Sequence, residues 1–247
     1  MPITSTATVN ELINTVLSEV GLAVEGDPFA STNQATVQMK TLLQLCGEEL
    51  CWLGDWEHLN RSHQIVTLGT DSGSYSLPTD YLTMIPQTGW EREGNTPLRG
   101  PLTPQEWTYL EGRDFVSQAI YASFRLSAGT FNIFPQPVPV GLDINFEYRS
   151  RNWVEDPADA DNHIADIGSG GHVPLFDRTL VTRMLKLKFL EAKGFDSTKA
   201  QDDLNMLFGL VSSADKSSKI VSAGRSRSGF PYLDGHRNVR DTGFGSS

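Results

Sequence analysis

Residues 74–112 read SYSLPTDYLTMIPQTGWEREGNTPLRGPLTPQEWTYLEG, and this stretch sets the expectation for the middle of the fold. Residues 75–77 have the composition of a strand, which ends at Pro78 because proline cannot donate a hydrogen bond to a sheet. A turn at residues 79–80 leads into a second apolar run at residues 81–85. The stretch therefore opens as two short strands joined by a turn.

The second half of the stretch predicts a loop followed by a short helix. Asn, Gly and Pro are frequent at residues 95–101, as is typical of a loop. Thr103 is a good N-cap, Pro104 suits the first helical position, and Glu106 can complete a capping box with Thr103. Trp107 and Leu110 then share one face of the helix. Nothing in residues 74–112 is arranged for catalysis.

The composition limits the classes of protein to consider. The chain has 247 residues, 38% of them hydrophobic, and a formal net charge of −10. No apolar run reaches the roughly 18 residues that suggest a membrane-spanning helix. The N-terminus has neither a basic region nor an apolar signal core, so we do not expect secretion. The charge argues against wrapping nucleic acid but allows a like-charged passage through which DNA slides.

The two cysteines, Cys46 and Cys51, fall within one helical pattern. A separation of five residues places them about 140° apart around a helix, so they cannot easily form a disulfide with each other. We expect two buried free thiols in a reducing compartment.

Two helices are predicted before the strands. The first covers residues 8–20, with a Thr8–Glu11 capping box and an end at Gly21, and the second covers residues 32–53. Gly47 inside the second helix suggests the close approach of a neighbouring helix, and Trp52 and Trp56 are expected to pack in the core. The residues of the second helix expected to face the core are Val37, Leu42, Leu45, Cys46, Leu50 and Leu53.

Residues 64–151 predict an antiparallel β module with the short helix at its margin. Residues 142–148 alternate between apolar and polar side chains, as in a half-buried strand, and residues 127–129 predict a hairpin turn. Residues 155–173 are expected to form an irregular surface loop. A calcium loop would need glycine where Ile164 stands, and a phosphate-binding loop would need lysine where His172 follows Gly171.

Two more helices are predicted after this loop. Asp177 caps the first, which ends at Gly194, and Asp196 or Ser197 caps the second, which extends to about residue 211. The short connection predicts antiparallel packing. A basic fringe is expected along the first of these helices, formed by Arg178, Arg183, Lys186, Lys188 and Lys193.

The composition changes after Ser212 to a segment rich in Ser and Gly, with six Lys or Arg and three Asp residues. Such a segment is expected to gain order only on a partner. A non-specific nucleic-acid arm is the competing interpretation. The residues expected to make partner contacts are Arg225, Arg227, Phe230, Tyr232, Arg237, Arg240 and Phe244.

The residue pattern does not indicate an enzyme, a metal site or a cofactor. The motifs HExxH, GxSxG and CxxC are absent from the sequence. The nearest acid–base cluster is Asp161, His163 and Asp166, which keeps a hydrolase open as the least favoured alternative. A solvated loop is the better explanation of these three residues.

Four segments of the sequence suggest a family. They are residues 76–92 (SLPTDYLTMIPQTGWER), 97–112 (PLRGPLTPQEWTYLEG), 124–156 (FRLSAGTFNIFPQPVPVGLDINFEYRSRNWVED) and 174–196 (PLFDRTLVTRMLKLKFLEAKGFD). In this order they resemble the head-to-tail adaptor proteins of tailed bacteriophages, called tail tubular protein A in short-tailed phages. The resemblance covers most of residues 12–211 and the ending NVRDTGFG.

The resemblance implies an α+β fold, in which a helical bundle is interrupted by an antiparallel β-rich insertion and followed by an extended arm. The corresponding boundaries are residues 1–62 and 174–213 for the bundle, 63–173 for the insertion and 214–247 for the arm.

The resemblance also implies a structural virion protein in the neck, between head and tail, made in the bacterial host cytoplasm. Its partners would be sibling subunits in a ring, typically twelve-fold, the portal protein that the arm binds, and the tail nozzle or tail tube. Double-stranded DNA would pass through the ring without sequence-specific binding, and no membrane is involved. A tail-completion or nozzle component is the alternative within the virion.

Overall fold

The computed structural model describes residues 7–68, 72–94, 96–112, 123–134, 138 and 140–215. Helix α1 (Val9–Val20) begins with a complete capping box: the Thr8 hydroxyl accepts from the Glu11 N–H, and the Glu11 carboxylate accepts from the Thr8 N–H. Gly21 ends the helix in the left-handed conformation that favours glycine. Both ends of α1 agree with the prediction.

Helix α2 (Gln34–Leu53) has two different faces, which its apolar spacing does not distinguish. Asn33 caps the helix, so it begins slightly later than predicted. The apolar residues that it buries are Met39, Leu43, Cys46, Leu50 and Cys51. The prediction of inward positions was wrong for Val37, Leu45 and Leu53, which are 40%, 45% and 57% exposed. At 100° per residue, Val37 and Leu45 lie on the side of the helix opposite Leu50.

Gly47, near the middle of α2, makes room for the indole of Trp153. A Cβ atom at this position would overlap the six-membered ring of Trp153, which is fully buried. The close approach predicted at Gly47 is therefore made by an aromatic side chain rather than by a neighbouring helix. Trp56 is buried as predicted, but Trp52 is 65% exposed, so its prediction as a core residue was wrong.

In the described part of the chain, the largest sheet has five antiparallel strands, and its central strand is β8 (Asp143–Ser150). Its buried side chains alternate along the strand, as predicted. Strand β1 (Asn60–Val66) follows a short 3-10 turn (Glu57–Leu59) and pairs along one side of β8. The other strands of this sheet are β3 (Tyr81–Met84) and β4 (Trp90–Glu91), both paired with β8, and β5 (Thr96–Pro97), paired with β4.

A second sheet has the order β2 (Ser74–Ser76), β7 (Thr130–Phe134), β6 (Ser123–Ser127). The predicted hairpin joins β6 and β7, with Ala128 and Gly129 both at positive φ. The two sheets share one apolar cluster, in which Phe131 stacks between Phe124 and Phe146 with ring centroids 4.7 and 5.1 Å apart. Aromatic stacking thus joins the two sheets.

A third sheet replaces much of the predicted irregular loop at residues 155–173. Strand β9 (Val154–Asp156) pairs with both β10 (Asp159–Ile164) and β11 (Val173–Pro174). The prediction was wrong because these strands are short, and β10 is polar enough that its sequence lacks an apolar alternation. Their pairing depends on partners in the folded chain.

The marginal helix α3 (Pro104–Gly112) has the predicted capping box. The Glu106 carboxylate accepts from the Thr103 N–H at 2.9 Å, and the Thr103 hydroxyl accepts from the Glu106 N–H at 3.3 Å. Trp107 and Leu110 pack on one side, as predicted, in a small cluster with Leu102 and Phe134.

The last two described helices are α4 (Arg178–Lys193) and α5 (Thr198–Asp215). Asp177 caps α4 through the Thr179 and Leu180 N–H groups, and Gly194 ends it, as predicted. Helix α5 continues to Asp215 rather than ending near residue 211. Residues 214 and 215, which were assigned to the arm, are therefore helical, and residues 216–247 lie outside the described part.

Helices α1, α2 and α4 bury their apolar faces in one cluster together with Trp153 and Phe176. Helix α5 packs against this cluster through Val211 and the half-buried Leu204, Leu207 and Phe208. The chain is α+β with antiparallel sheets, as predicted.

Candidate assembly surfaces

The surface of α2 that faces away from the core carries apolar side chains. Exposed residues recur at intervals of three, four and four positions along this helix. This eleven-residue repeat keeps them on one side of a straight helix. We call this surface the α2 outer face, and it consists of Gln34, Val37, Thr41, Leu45, Glu48 and Trp52.

A cavity of about 450 Å³ lies beside Trp52 at the C-terminal end of the α2 outer face. Tyr81 and Leu82 of β3 contribute to its wall, and Arg151 and Asp166 supply opposite charges. An exposed tryptophan next to a cavity with apolar and charged walls resembles the anchors that dominate binding at protein interfaces.

Helix α5 has a second exposed apolar surface, the α5 outer face, formed by Met206 and Leu210. These side chains are 74% and 61% exposed. Val211 and Asp215 are the buried residues of α5. Isolated exposed apolar residues are ordinary, but two large ones one helical turn apart indicate a surface that can take a partner.

Several of the basic side chains predicted along α4 form ion pairs with acidic residues of neighbouring helices. Lys186 binds Glu19 of α1 at 2.9 Å, and Lys188 binds Glu49 of α2 at 2.8 Å. Arg183 lies 3.4 Å from Asp203 of α5. The hydrogen bond with Glu49 is the main cause that raises the pKa of Lys188. These basic residues connect α4 to its neighbouring helices.

The residues between α2 and β1 form a junction between helices and sheets that was not predicted. Arg149 of β8 donates to the Gly54 carbonyl and to the Asp55 carboxylate, at 2.9 and 2.6 Å. The Glu57 N–H donates to the Asp215 carboxylate, and the His58 ring lies beside the same carboxylate. No sequence signal could have paired positions 57 and 215, because only folding brings them together.

The His58 side chain is 11% exposed in this junction, and its ring lies against the rings of Trp56 and Phe176. Burial lowers the pKa of His58, and the nearby Asp215 carboxylate only partly opposes this effect. The neutral imidazole is therefore favoured in the folded chain.

The structure separates two members of the predicted acid–base cluster. The His163 ring contacts the Arg61 guanidinium, whereas the Asp166 carboxylate accepts a hydrogen bond from Gln44 at 3.2 Å. The side chain of Asp161 lies outside the described part. Among the described residues, no group of three or more His, Cys, Asp or Glu side chains is placed to hold a metal ion.

Both cysteines are free and buried, as predicted. Burial raises the pKa of each thiol to about 12. Within the described residues, no helix is both long and apolar enough to span a membrane. The seven predicted partner-binding residues lie outside the described part: Arg225, Arg227, Phe230, Tyr232, Arg237, Arg240 and Phe244.

A family model described as SU10 adaptor protein matches residues 7–216, which is most of the chain. The chain belongs to the SU10 adaptor protein family. Membership confirms the resemblance to phage head-to-tail adaptors and supports a structural protein of the virion neck that associates with other virion components. A comparison with curated proteins gives no match.

Proposed function

We propose that this protein forms a ring, twelve-fold as in the adaptors that it resembles, which joins the portal to the tail and lets DNA pass through its centre. The family match over residues 7–216 carries this proposal. In this arrangement, the helical regions at residues 1–62 and 174–213 contact sibling subunits, and the β region at residues 63–173 faces the tail.

The distribution of charge supports the proposal. Residues 216–247 contain six Lys or Arg and two Asp residues, a formal charge of +4, so the remaining residues of this −10 chain carry −14. An acidic wall repels the DNA phosphates and discourages DNA from binding to it. The basic segment combines cations with aromatic residues, which suits docking on a protein partner.

The α2 outer face and the α5 outer face are the surfaces that we assign to contacts between sibling subunits. They lie on different helices of one chain. Contact between two different faces of successive copies is heterologous, and a heterologous contact can close into a ring.

A deletion of residues 216–247 tests the portal-binding part of this proposal. The shortened chain should stay folded, because the buried core described above is built from residues between 7 and 211, and it should lose binding to purified portal rings. Sedimentation and negative-stain electron microscopy, with and without portal, measure both properties. Undiminished docking of the shortened chain would contradict an arm that binds the portal.

Two further samples sharpen the experiment. A full-length chain with Phe230, Tyr232 and Phe244 changed to Ala should bind the portal weakly, whereas Ser217→Ala with Ser218→Ala should bind normally. Separate incubation with the nozzle protein addresses the alternative function. Binding to the nozzle without binding to the portal would favour a tail-completion component.

A further inference from the structure

Strand β1 lies at one edge of the largest sheet in the described part of the chain. It pairs with β8 along its whole length, with no shift of register between Asn60 and Val66. Among the described strands, none pairs with its other side. The backbone groups on that side can therefore bond to a strand from another molecule.

The register identifies the backbone groups of β1 that point away from β8. In an antiparallel pair, successive residues direct their N–H and C=O groups alternately toward the partner strand and away from it. The Thr67 N–H donates to the Leu142 carbonyl just past the end of the pairing, so the odd-numbered residues of β1 face β8. The backbone groups of Ser62, Gln64 and Val66 consequently point outward.

Residues 62–66 lack the features that keep edge strands from pairing with other chains. These features include proline, lysine, β-bulges and very short strands. The other edges of this sheet have them: β5 contains Pro97, and the pairing of β3 with β8 shifts register between Tyr81 and Thr83. Strand β1 is thus better suited to take a partner strand than β3 or β5.

The exposed face of the sheet beside β1 indicates the chemistry of the partner. Val66 is 52% exposed, and Leu68, two residues further along the chain, is 61% exposed. Glu147 of β8 lies directly opposite Ser62, is exposed and forms no ion pair with a described side chain. A strand with apolar residues at alternate positions complements this face, and a basic residue beside Ser62 can reach Glu147 across that small side chain.

Ring symmetry argues against a second copy of this chain as the partner. Pairing of β1 with β1 of another copy is isologous and ends with two subunits, whereas a ring needs heterologous contacts. Pairing of β1 with the opposite edge of the next copy would use β3 or β5, which carry the protective features described above. A strand of a different protein is therefore the better occupant.

We infer that β1 is the docking site for an extended strand of the tail-side partner, which adds to the largest sheet through main-chain hydrogen bonds. This inference rests on the proposed function, in which the β region faces the tail. The main-chain bonds supply affinity for an extended segment. The side chains of Val66, Leu68 and Glu147 select a segment that is apolar at alternate positions and carries a basic residue.

Amide hydrogen exchange at single-residue resolution tests this docking, with purified nozzle protein as the probe. In the unmodified full-length chain, the N–H groups of Ser62, Gln64 and Val66 should exchange quickly because they face water. Those of His63 and Ile65 should exchange slowly because they face β8. Nozzle protein should slow exchange at the three outward N–H groups at least tenfold.

Two pairs of full-length variants test the contact separately. Ser62→Pro removes one outward N–H but keeps the bonds to β8, and an edge strand tolerates proline at such a position. It should weaken nozzle binding about tenfold, whereas Ser62→Ala, which keeps the N–H, should bind normally. Glu147→Lys should weaken nozzle binding several-fold, whereas Glu93→Lys, the same charge change at an exposed residue between β4 and β5, should not. All four variants should bind portal rings normally.

The outcomes separate this inference from the function on which it rests. Nozzle binding without slower exchange at Ser62, Gln64 and Val66 would overturn β1 as the docking site and leave the proposed function intact. The exchange measurement needs no variant, so it decides this point even where Ser62→Pro fails to fold.

Slow exchange at the same three groups in the free chain would also overturn the inference. A dependence on protein concentration would then indicate pairing between copies, and no such dependence would indicate an edge covered within one chain. Protection by portal rings in place of nozzle protein would assign the edge to the wrong side of the ring for this inference. Failure of the unmodified chain to bind nozzle protein, free or on portal rings, would overturn the tail-side part of the proposed function, and the inference with it.

Discussion

Gly47 shows how one missing side chain determines the position of a neighbouring element. The indole of Trp153 occupies the space that a Cβ would need, and Trp153 directly precedes β9 in the third sheet. The sequence indicates that a glycine inside a helix needs a reason, but it does not reveal which distant group makes use of the space.

We predict that Gly47→Ala destabilises the protein by about 1–3 kcal/mol, the usual cost of overpacking a core. This is a net loss even though alanine favours a helix by about 1 kcal/mol over glycine. Gly209→Ala in α5 is the matched control: apart from the adjoining helix backbone, a Cβ there would meet no described atom within 4 Å, so the variant should gain stability. Urea unfolding measures both changes, and equal effects would contradict the assigned contact.

A second prediction at this scale concerns His58. Because burial lowers its pKa in the folded chain, its contribution to stability is complete above the unfolded pKa of about 6.5 and is lost as the pH falls through the lower folded value. His58→Gln should therefore lose less stability than the unmodified chain between pH 7.5 and 5.5.

Asp215, Arg61 and His163 act electrostatically on His58, so thermal unfolding at two salt concentrations should accompany the pH comparison. Burial also lowers the pKa of His63. Because His63 is present in both proteins, its contribution to the pH dependence of stability cancels in the comparison. An identical pH dependence in the two proteins would contradict the assignment to His58.

At the scale of elements, local signals located the helices well because their ends carry side-chain caps. Thr8, Thr103 and Asp177 each bond to the first turn that follows, and such contacts span only a few residues. The third sheet has no comparable local signal. Its strands pair through contacts that only the folded chain provides, so the sequence suggested a loop.

Thr8→Ala should lower the stability of the protein by about 1 kcal/mol, since it removes the side-chain acceptor for the Glu11 N–H at the start of α1. Thr8→Ser keeps the acceptor and should retain most of the stability. Thr41→Ala, the same change at an exposed position inside α2, should have little effect or be slightly stabilising. Denaturant unfolding of the three variants should give this order of stability. An equal loss of stability in Thr41→Ala and Thr8→Ala would indicate that the cap contributes nothing.

For the whole molecule, the least predictable feature was which apolar residues face outward. The spacing of Val37 and Leu45 fits a helix, but spacing alone does not distinguish the core of the chain from the surface of another subunit. The partner-binding residues predicted beyond residue 215 stay a prediction. The Asp215 junction was missed because its members are far apart in sequence.

Trp52→Asp should weaken self-association in solution and on the portal, because it places a charge on the α2 outer face. Loss of an aromatic anchor that contributes about 2 kcal/mol of binding free energy corresponds to roughly a thirtyfold higher dissociation constant. Analytical ultracentrifugation over a range of concentrations measures this change. Val140→Asp, at a residue that is 72% exposed in the β region, is the control and should assemble normally.

The opposite ranking of Trp52→Asp and Val140→Asp would place the subunit contact in the β region. Thermal unfolding of both variants identifies any loss of folding that could imitate a loss of assembly.

The buried thiols make this protein a convenient target for chemical labelling. The thiolate is the form that attacks alkylating reagents, and a pKa of about 12 leaves Cys46 and Cys51 almost entirely protonated at neutral pH. A cysteine added at an exposed position can therefore carry a fluorophore while both native sulfurs stay unmodified. Over longer times, slow modification of those two sulfurs would report how often α2 opens.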